Sequence, residues 1–164
     1  MKRAIFPGSF DPMTMGHLDI IERSLDLFDE IIIAVLNNPE KKPMFSPEER
    51  CEIIGEVINR FEGRNCRLMV ESFEGLLVDF AKKRGAGCIV RGIRAVSDYE
   101  YELRMALMNR KLEPEIETVF LMAAEEYSYV SSRLLKQVFL LGGRVEGLVP
   151  ELVEERLRQK NGGK

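Results

Sequence analysis

Short apolar runs alternate with longer amphipathic segments along this chain, and the alternation restricts its fold more than any other feature. The runs are rich in aliphatic and β-branched residues, which is typical of strands buried inside a sheet. They read RAIF, EIIIAVL, CRLMV, CIV and TVFLM. Helical periodicity marks the segments at about residues 17–28, 47–61, 75–84, 98–112, 131–141 and 150–160. This order predicts β-α-β units, and therefore an α/β fold with a parallel sheet.

Several helix boundaries carry signals of their own. Ser46–Glu49 reads SPEE, a capping box with proline at the first helical position. Ser97–Glu100 reads SDYE and is predicted to be a second capping box. One apolar stripe at helical spacing in the first segment is formed by Leu18, Ile21, Leu25 and Phe28. We therefore expect amphipathic helices that begin at both boxes.

The length and the charge of the chain restrict its class. With 164 residues, 45% of them hydrophobic, it can form one domain with a sizeable core. We expect a single domain over residues 1–164, with a frayed end at about 161–164. The formal net charge of -3 argues against a broad basic face for nucleic acid. Any phosphate chemistry must therefore be local.

The sequence predicts neither secretion nor a membrane anchor. The start, MKRAIFPG, has too short an apolar run for a signal peptide. The longest aliphatic run, Ile31–Leu36, is too short to span a bilayer. Cys51, Cys66 and Cys88 form no C-x-x-C pair and are odd in number, which fits neither a disulfide framework nor a thiolate zinc site. We expect a cytoplasmic protein with buried, unreactive thiols.

The loop after the first run ends on the only histidine, His17, and reads PGSFDPMTMGH. It is not a G-x-G-x-x-G loop, and no G-x-x-x-x-G-K-S/T occurs in the chain. Gly8 permits close approach of the backbone to a ligand, and Ser9 supplies a hydroxyl. Gly16 and His17 open a helix whose free N–H groups favour phosphate. The alternative is that His17 is only an exposed residue at a helix start.

Two arginines follow the fourth run. Arg91 comes directly after CIV, and Arg94 lies three residues further on. A guanidinium at the end of an apolar strand needs an anion or a carboxylate partner. A bound anion would satisfy that need, and so would an internal ion pair with Asp98 or Glu102. Both interpretations stay open at this point.

Two further loops carry groups that could contact an anion. Lys41 and Lys42 follow the second run, although surface lysines are often merely solvated. Residues 127–132, YSYVSS, lead into the segment at 131–141. Serines before a helix are ordinary N-caps, and a helix start at this edge of the sheet is also a possible anion site.

These loops together predict a nucleotide-phosphate site at one edge of the sheet, because ligands of open parallel sheets bind beyond the carboxyl ends of the strands. No residue has the setting of a covalent nucleophile with a supporting base. No cluster of histidine, cysteine and carboxylate has the spacing of metal ligands. Magnesium would arrive with the phosphates, since it keeps several waters and needs few protein ligands.

The same loops resemble known sequences. PGSFDPMTMGH matches the Ser/Thr-x-Gly-His signature of the nucleotidyltransferase superfamily. Together with NNPEKKPMFSPEER, VRGIRAVSDYEYELRMALMNRKL, ETVFLM and YSYVSSRLLKQV, it resembles the bacterial phosphopantetheine adenylyltransferases from about residue 2 to 141. The resemblance implies a Rossmann-like, doubly wound, five-stranded parallel sheet with helices on both faces. It also implies Mg²⁺-dependent transfer of AMP from ATP to 4'-phosphopantetheine, which gives dephospho-coenzyme A and pyrophosphate.

The resemblance further assigns residues and partners. It implies that His17 stabilises the transition state. The implied ATP-binding residues are Ser9, Phe10, His17, Gly92, Ile93, Arg94, Glu102, Tyr127, Ser128, Tyr129, Val130, Ser131, Ser132 and Arg133. The implied phosphopantetheine-binding residues are Ser9, Lys41, Leu77, Arg91, Met108 and Asn109. The resemblance also implies a homohexamer, built as a dimer of trimers, and feedback inhibition by coenzyme A. It implies no protein ligand for the metal, since magnesium is expected to be bound through the substrate phosphates.

One position departs from the pattern of the family. Arg133 stands where its members usually carry a third hydroxyl residue after two serines. If the contact there is made by a backbone N–H, little changes. If it is made by the hydroxyl, the arginine alters the phosphate geometry.

Other functions remain as alternatives at the sequence level. A sister enzyme of the same fold would use another acceptor, such as nicotinamide mononucleotide or glycerol phosphate, although the long match after residue 88 disfavours it. A non-catalytic nucleotide sensor or assembly module would not need His17, Lys41, Arg91 and Arg94 together. An NAD-dependent oxidoreductase is the least favoured alternative, because the glycine fingerprint is missing.

Overall fold

Five parallel strands form the central sheet of the computed structural model, which describes residues 1–38, 40 and 42–162, except the side chains of Val96 and Ser97. The strands are β1 (Arg3–Gly8), β2 (Glu30–Leu36), β3 (Arg67–Phe73), β4 (Cys88–Ile93) and β5 (Glu117–Met122). Their order across the sheet is β3-β2-β1-β4-β5, and every neighbouring pair is parallel. The predicted α/β fold is confirmed, and strand order reverses between β1 and β4.

Helices connect and cover the strands. They are α1 (Met15–Ser24), α2 (Pro47–Ile58), α3 (Leu77–Lys83), α4 (Val96–Leu112), α5 (Ser132–Leu140) and α6 (Glu151–Lys160). The capping box at the start of α2 is confirmed: Ser46 accepts from the Glu49 N–H, and the Glu49 carboxylate accepts from the Ser46 N–H. None of the helices described here is both long enough and apolar enough to cross a bilayer.

The second predicted capping box is wrong. Helix α4 begins at Val96 with Ala95 as its N-cap, so Ser97 lies inside the helix. The Asp98 carboxylate accepts instead from the backbone N–H and the guanidinium of Arg94. That ion pair accounts for Asp98 in the first turn, where a negative charge also suits the helix dipole.

Alternating strand residues face two separate cores, which explains the helices on both faces of the sheet. Ile31 and Ile33 of β2 lie in the larger core with α1, α2, α5 and α6. Ile32 and Ala34 lie in the smaller core with α3. Leu18, Ile21, Leu25 and Phe28 all pack in or against the larger core, but α1 ends at Ser24, earlier than the predicted end at about residue 28. The expected helices on both faces of the sheet are confirmed.

β1 and β4 separate toward their carboxyl ends. β1 pairs with β2 along its whole length, from Arg3 to Gly8, but with β4 only at Ala4 and Ile5. Beyond Ile5 the backbone has no strand partner on that side, and a crevice opens where strand order reverses. Ligands of open α/β sheets bind at such a point.

The three thiols are free, but only Cys66 is buried; Cys51 and Cys88 are half-buried, so the predicted full burial is wrong for both. Burial raises the pKa of all three thiols, and raises that of Cys88 to about 11. A protonated thiol is a weak nucleophile. These cysteines are therefore poor candidates for catalysis, as the sequence predicts.

Candidate active site

The crevice between β1 and β4 contains a cavity of about 410 Å³. Its walls come from the loop after β1, the end of β4, α4 and the segment that leads into α5. The predicted site residues along its walls are Ser9, Phe10, His17, Arg91, Gly92, Arg94, Glu102, Val130, Ser131 and Ser132. Gly92 is tightly packed, since a Cβ there would lie 3.2 Å from Cγ1 of Ile20. The fold thus brings these residues together, and what they bind stays a prediction.

His17 is held at the start of α1 by a capping box of unusual composition. Thr14 is the N-cap, and its Oγ1 accepts from the His17 N–H at 3.2 Å. In return, Nδ1 of His17 accepts from the Thr14 N–H at 3.0 Å, the place that glutamate or glutamine usually takes. A backbone N–H can only donate, so the proton of the neutral imidazole is on Nε2. His17 therefore offers Nε2–H as a donor.

The surroundings of His17 keep the ring neutral. The Phe10 ring packs edge-on against the imidazole, with the centroids 4.9 Å apart. Burial lowers the pKa of His17 to about 4, and the positive charges of Arg94 and Arg91 act in the same direction. The interpretation of His17 as a merely exposed residue is wrong, because the side chain is half-buried and lines the cavity.

The lowered pKa of His17 predicts a dependence of stability on pH. Between about pH 4 and 6.5 the unfolded chain binds a proton at His17 and the folded chain does not, so this contribution to the free energy of unfolding is lost as pH falls. His17→Gln removes the titration, and we expect its stability to decline less over this range. Urea unfolding of both proteins at pH 7 and 5 measures the difference. Parallel declines in the two proteins would contradict the lowered pKa.

Arg91 forms the internal ion pair that the sequence left open. Its Nε and Nη2 donate to the Glu102 carboxylate at 2.7 and 2.5 Å, and Nη1 donates to the Pro7 carbonyl at 3.0 Å. Three of the five guanidinium N–H groups are thereby engaged by described residues, and two remain for a ligand. Glu102 thus orients Arg91 at the end of β4 and leaves it able to contact an anion.

Arg94 is held in a similar way. Its Nε donates to Asp98 at 3.0 Å and its Nη1 donates to the Val130 carbonyl at 2.9 Å. The second contact fixes the segment before α5 beside the end of β4. Ser131 caps α5 by accepting from the Leu134 N–H at 3.2 Å, as the serines of this loop predict. The starts of α1 and α5 both lie at the cavity, through Gly16 and His17 and through Ser131 and Ser132, and the positive end of a helix dipole favours an anion.

Comparisons with known proteins agree with this geometry. Residues 5–138 match the family model described as cytidylyltransferase-like. A phosphopantetheine adenylyltransferase from Anaeromyxobacter dehalogenans (strain 2CP-C) is 53% identical over 161 residues, which cover 98% of this chain and 96% of the relative. One from Clostridium kluyveri is 56% identical, with 93% of this chain and 91% of the relative covered. This chain belongs to the phosphopantetheine adenylyltransferase family.

A solved structure of a distant relative shares the fold. The crystal structure of a candidate nicotinate-nucleotide adenylyltransferase from Vibrio parahaemolyticus has a TM-score of 0.67 and 19% sequence identity. The match covers 99% of this chain and 94% of that chain. At this identity the likeness shows the fold alone, which is the Rossmann-like sheet expected for the family.

Several described residues assigned by the family resemblance are not among those that line the cavity. Lys41 lies outside the described residues, so its place relative to the cavity is not described. Leu77 packs against the smaller core, Met108 is exposed on α4 and Asn109 is buried on the same helix. Other assigned residues that do not line the cavity are Ile93, Tyr127, Ser128, Tyr129 and Arg133. Arg133 is exposed and is not among the residues that line the cavity.

A buried arginine that was not among the predicted site residues, Arg50, contacts the first loop. Arg50 is 3% exposed, and its Nη1 donates to the carbonyl oxygens of Ser9 at 2.7 Å and Leu36 at 3.1 Å. It therefore joins the loops that follow β1 and β2. A signal was present, since Arg50 lies at helical spacing from Ile54 and Val57 on the apolar face of α2. A charge on such a face needs internal partners.

In the described parts of the chain, no group of three or more histidine, cysteine, aspartate or glutamate residues is arranged to hold a metal ion. The two acidic side chains that line the cavity, Asp98 and Glu102, are both paired with arginines.

Proposed function

We propose that this protein transfers AMP from ATP to 4'-phosphopantetheine, giving dephospho-coenzyme A and pyrophosphate. The observation that carries the proposal is the match to phosphopantetheine adenylyltransferases along 98% of the chain. The cavity supports it independently, since a neutral histidine, two oriented arginines and two helix starts suit a reaction between phosphate groups.

The chemistry requires no general base. The second pKa of a phosphate monoester is about 6, so the attacking oxygen of phosphopantetheine is largely deprotonated at neutral pH. That oxygen forms a bond to the α-phosphorus of ATP, the bond to the bridging oxygen breaks, and pyrophosphate leaves. A histidine with a pKa of about 4 is a poor base but a good neutral donor. We assign His17 to stabilising the charge on the α-phosphate through Nε2–H.

The cations position the two substrates. We assign Arg91 and Lys41 to the phosphate of phosphopantetheine, with Ser9 between the substrates, and Arg94 to ATP. The ion pair with Glu102 fixes the Arg91 side chain before the substrate binds, so less conformational entropy is lost on binding. Alignment of two bound phosphates supplies a large part of the catalysis in reactions of this kind.

Magnesium is proposed to enter as part of the MgATP substrate. Bound there, it would neutralise charge on the ATP phosphates. This chain's own residues would hold and orient the phosphates through Arg94 and the starts of α1 and α5. We also propose a cytoplasmic location. Coenzyme A is proposed to inhibit by occupying the phosphopantetheine site, because it contains the same arm.

Helix α4 supports the proposed homohexamer. A surface helix of a monomer buries apolar side chains and exposes polar ones, and α4 does the opposite. Its buried side chains, among those described, are the polar Glu102 and Asn109. Its exposed apolar and aromatic side chains are Tyr99, Tyr101, Leu103, Met105, Leu107, Met108 and Leu112. An exposed apolar surface of this kind marks a protein interface.

A substitution on this face tests the assembly. We expect the wild type to have six times the chain mass of 18.8 kDa, and Leu107→Glu to yield smaller species because a charge is desolvated at the interface. Light scattering after size-exclusion chromatography measures both masses. Leu27→Glu is the matched control, since Leu27 is similarly exposed but far from α4 in sequence. A monomeric wild type, or an unchanged Leu107→Glu assembly, would contradict the prediction.

Pyrophosphate release tests the proposed activity. Wild-type protein receives MgATP alone, MgATP with 4'-phosphopantetheine, or MgATP with nicotinamide mononucleotide. We expect release with phosphopantetheine only. Release with nicotinamide mononucleotide alone would show that the acceptor is wrong. Release with neither acceptor would exclude the proposed activity.

A further inference from the structure

Asp11 joins two loops and a helix beside the cavity. Its side chain is 10% exposed, and both of its carboxylate oxygens accept hydrogen bonds. Oδ1 accepts from the Phe45 N–H at 2.9 Å, and Oδ2 accepts from the Met44 N–H at 2.8 Å and from Lys136 Nζ at 3.0 Å. Lys136 Nζ also donates to the Lys42 carbonyl at 3.2 Å. One carboxylate and one ammonium thus attach the end of the loop after β2 to the first loop and to α5.

These contacts lie at a second cavity of about 300 Å³, which shares Ser9 with the main cavity. Lys42, Arg50 and Lys136 bring three positive charges to its walls, and Asp11 brings one negative charge. Asp11 is therefore the acidic member of a basic surface that continues from the main cavity. A carboxylate in such a place weakens anion binding through charge repulsion. Its presence is therefore best explained by a different role.

The position of Lys136 suggests that role. It lies in α5, whose start contributes Ser131 and Ser132 to the main cavity. Ser132 Oγ donates to the Pro12 carbonyl at 2.6 Å, so α5 is attached to the first loop at two consecutive residues, Asp11 and Pro12. The ion pair extends this attachment to the loop after β2.

We propose that the ion pair of Asp11 and Lys136 positions the acceptor for the reaction. It fixes the loop after β2, which carries Lys42, relative to the helix start that faces the nucleotide phosphates. The proposal rests on the proposed function, in which a phosphate-bearing acceptor lies beside ATP. Asp11 and Lys136 are positioning residues, because they act through the loop and not on the reacting atoms. Small errors in the alignment of two reactants lower rates strongly.

Lys136→Met tests this role, because methionine keeps the length of the side chain and removes its charge. We expect the KM for phosphopantetheine to rise by about tenfold and the KM for ATP to change by less than about twofold. Lys136→Arg keeps the charge, and we expect it to restore most of the affinity for the acceptor. The matched control is Lys82→Met, which removes a lysine from another carboxylate, Glu113, at 2.6 Å on α3, the helix that covers the smaller core. Both KM values of this control should equal those of the wild type.

Two outcomes would overturn the proposal. Equal rises in both KM values would mean that Lys136 only supports the fold, and unchanged values would mean that the ion pair has no role in acceptor binding. Amide hydrogen exchange at Met44 and Phe45 supplies a readout that does not depend on activity. We expect faster exchange at both amides in Lys136→Met and wild-type exchange in Lys82→Met; unchanged exchange in Lys136→Met would also overturn the proposal. If the wild type uses no phosphopantetheine, the proposed function fails, and exchange alone decides whether the ion pair holds the loop.

Discussion

Replacing His17 by alanine is expected to lower kcat by about 10²–10³ while ATP still binds. The side chain carries one donor, Nε2–H, because Nδ1 accepts from the Thr14 N–H. Losing one preorganised donor to a charge that changes in the transition state costs about 2.7–4 kcal/mol. Arg94 and the helix starts remain, so ATP affinity changes much less. Steady-state pyrophosphate release gives kcat, and calorimetry gives the affinity for ATP.

Thr14→Val distinguishes the role of His17 as a hydrogen-bond donor from the role of Thr14 as the N-cap of α1. Valine removes the oxygen that accepts from the His17 N–H and that also lies 3.1 Å from Nδ1, but it keeps the backbone N–H that orients Nδ1. Loss of this kind of cap costs about 1 kcal/mol of stability. We expect kcat of Thr14→Val to stay within about threefold of the wild type, because Nε2–H is retained. A normal kcat in His17→Ala, or equal losses in both variants, would refute the role of His17.

Arg91→Met is expected to lower the free energy of unfolding by about 2–3 kcal/mol and to weaken phosphopantetheine binding. The variant leaves Glu102, whose side chain is 10% exposed, without both of its contacts to the guanidinium. Removing one partner of a buried ion pair strands the other charge, although the 29% exposure of Arg91 reduces the cost. Urea unfolding measures the stability of the variant.

An exposed ion pair is the control for Arg91→Met. Lys82→Met breaks the contact of Lys82 with Glu113 at 2.6 Å, where the lysine is 68% exposed. A surface pair contributes about 0–1 kcal/mol, so we expect a small change. Adding Glu102→Leu to Arg91→Met should restore part of the lost stability, because the stranded carboxylate is gone. Equal losses for Arg91→Met and Lys82→Met would contradict this account of the pair.

Periodicity was sufficient to predict the sheet and its helices. The strands are continuous apolar runs because both of their faces are covered, as the residues of β2 show by alternating between the two cores. The location of the cavity also followed from the sequence, since a sheet of this class binds ligands beyond the carboxyl ends of its strands. Helix starts were less predictable. Ser97 has the composition of a cap, but the turn at Ala95 and the ion pair of Asp98 set the start of α4.

Pairing between distant side chains was beyond the sequence. Arg91 reads equally well as an anion ligand or as half of an ion pair, and the structure shows how a five-donor group can serve both purposes. The Nδ1 contact of His17 replaces a glutamate in a capping box, so no known pattern predicts which ring nitrogen is protonated. Asp11 and Lys136 are 125 residues apart, and nothing in either local sequence indicates that they meet.

The fate of a radioactive label in ATP shows directly whether this protein transfers AMP to 4'-phosphopantetheine. ATP radiolabelled at the α-phosphate is incubated with the protein, Mg²⁺ and 4'-phosphopantetheine, and a parallel reaction carries the label at the γ-phosphate. If the protein transfers AMP, the α-label appears in dephospho-coenzyme A and the γ-label in pyrophosphate. A γ-label in the organic product, or an α-label that never leaves ATP, would contradict adenylyl transfer by this protein.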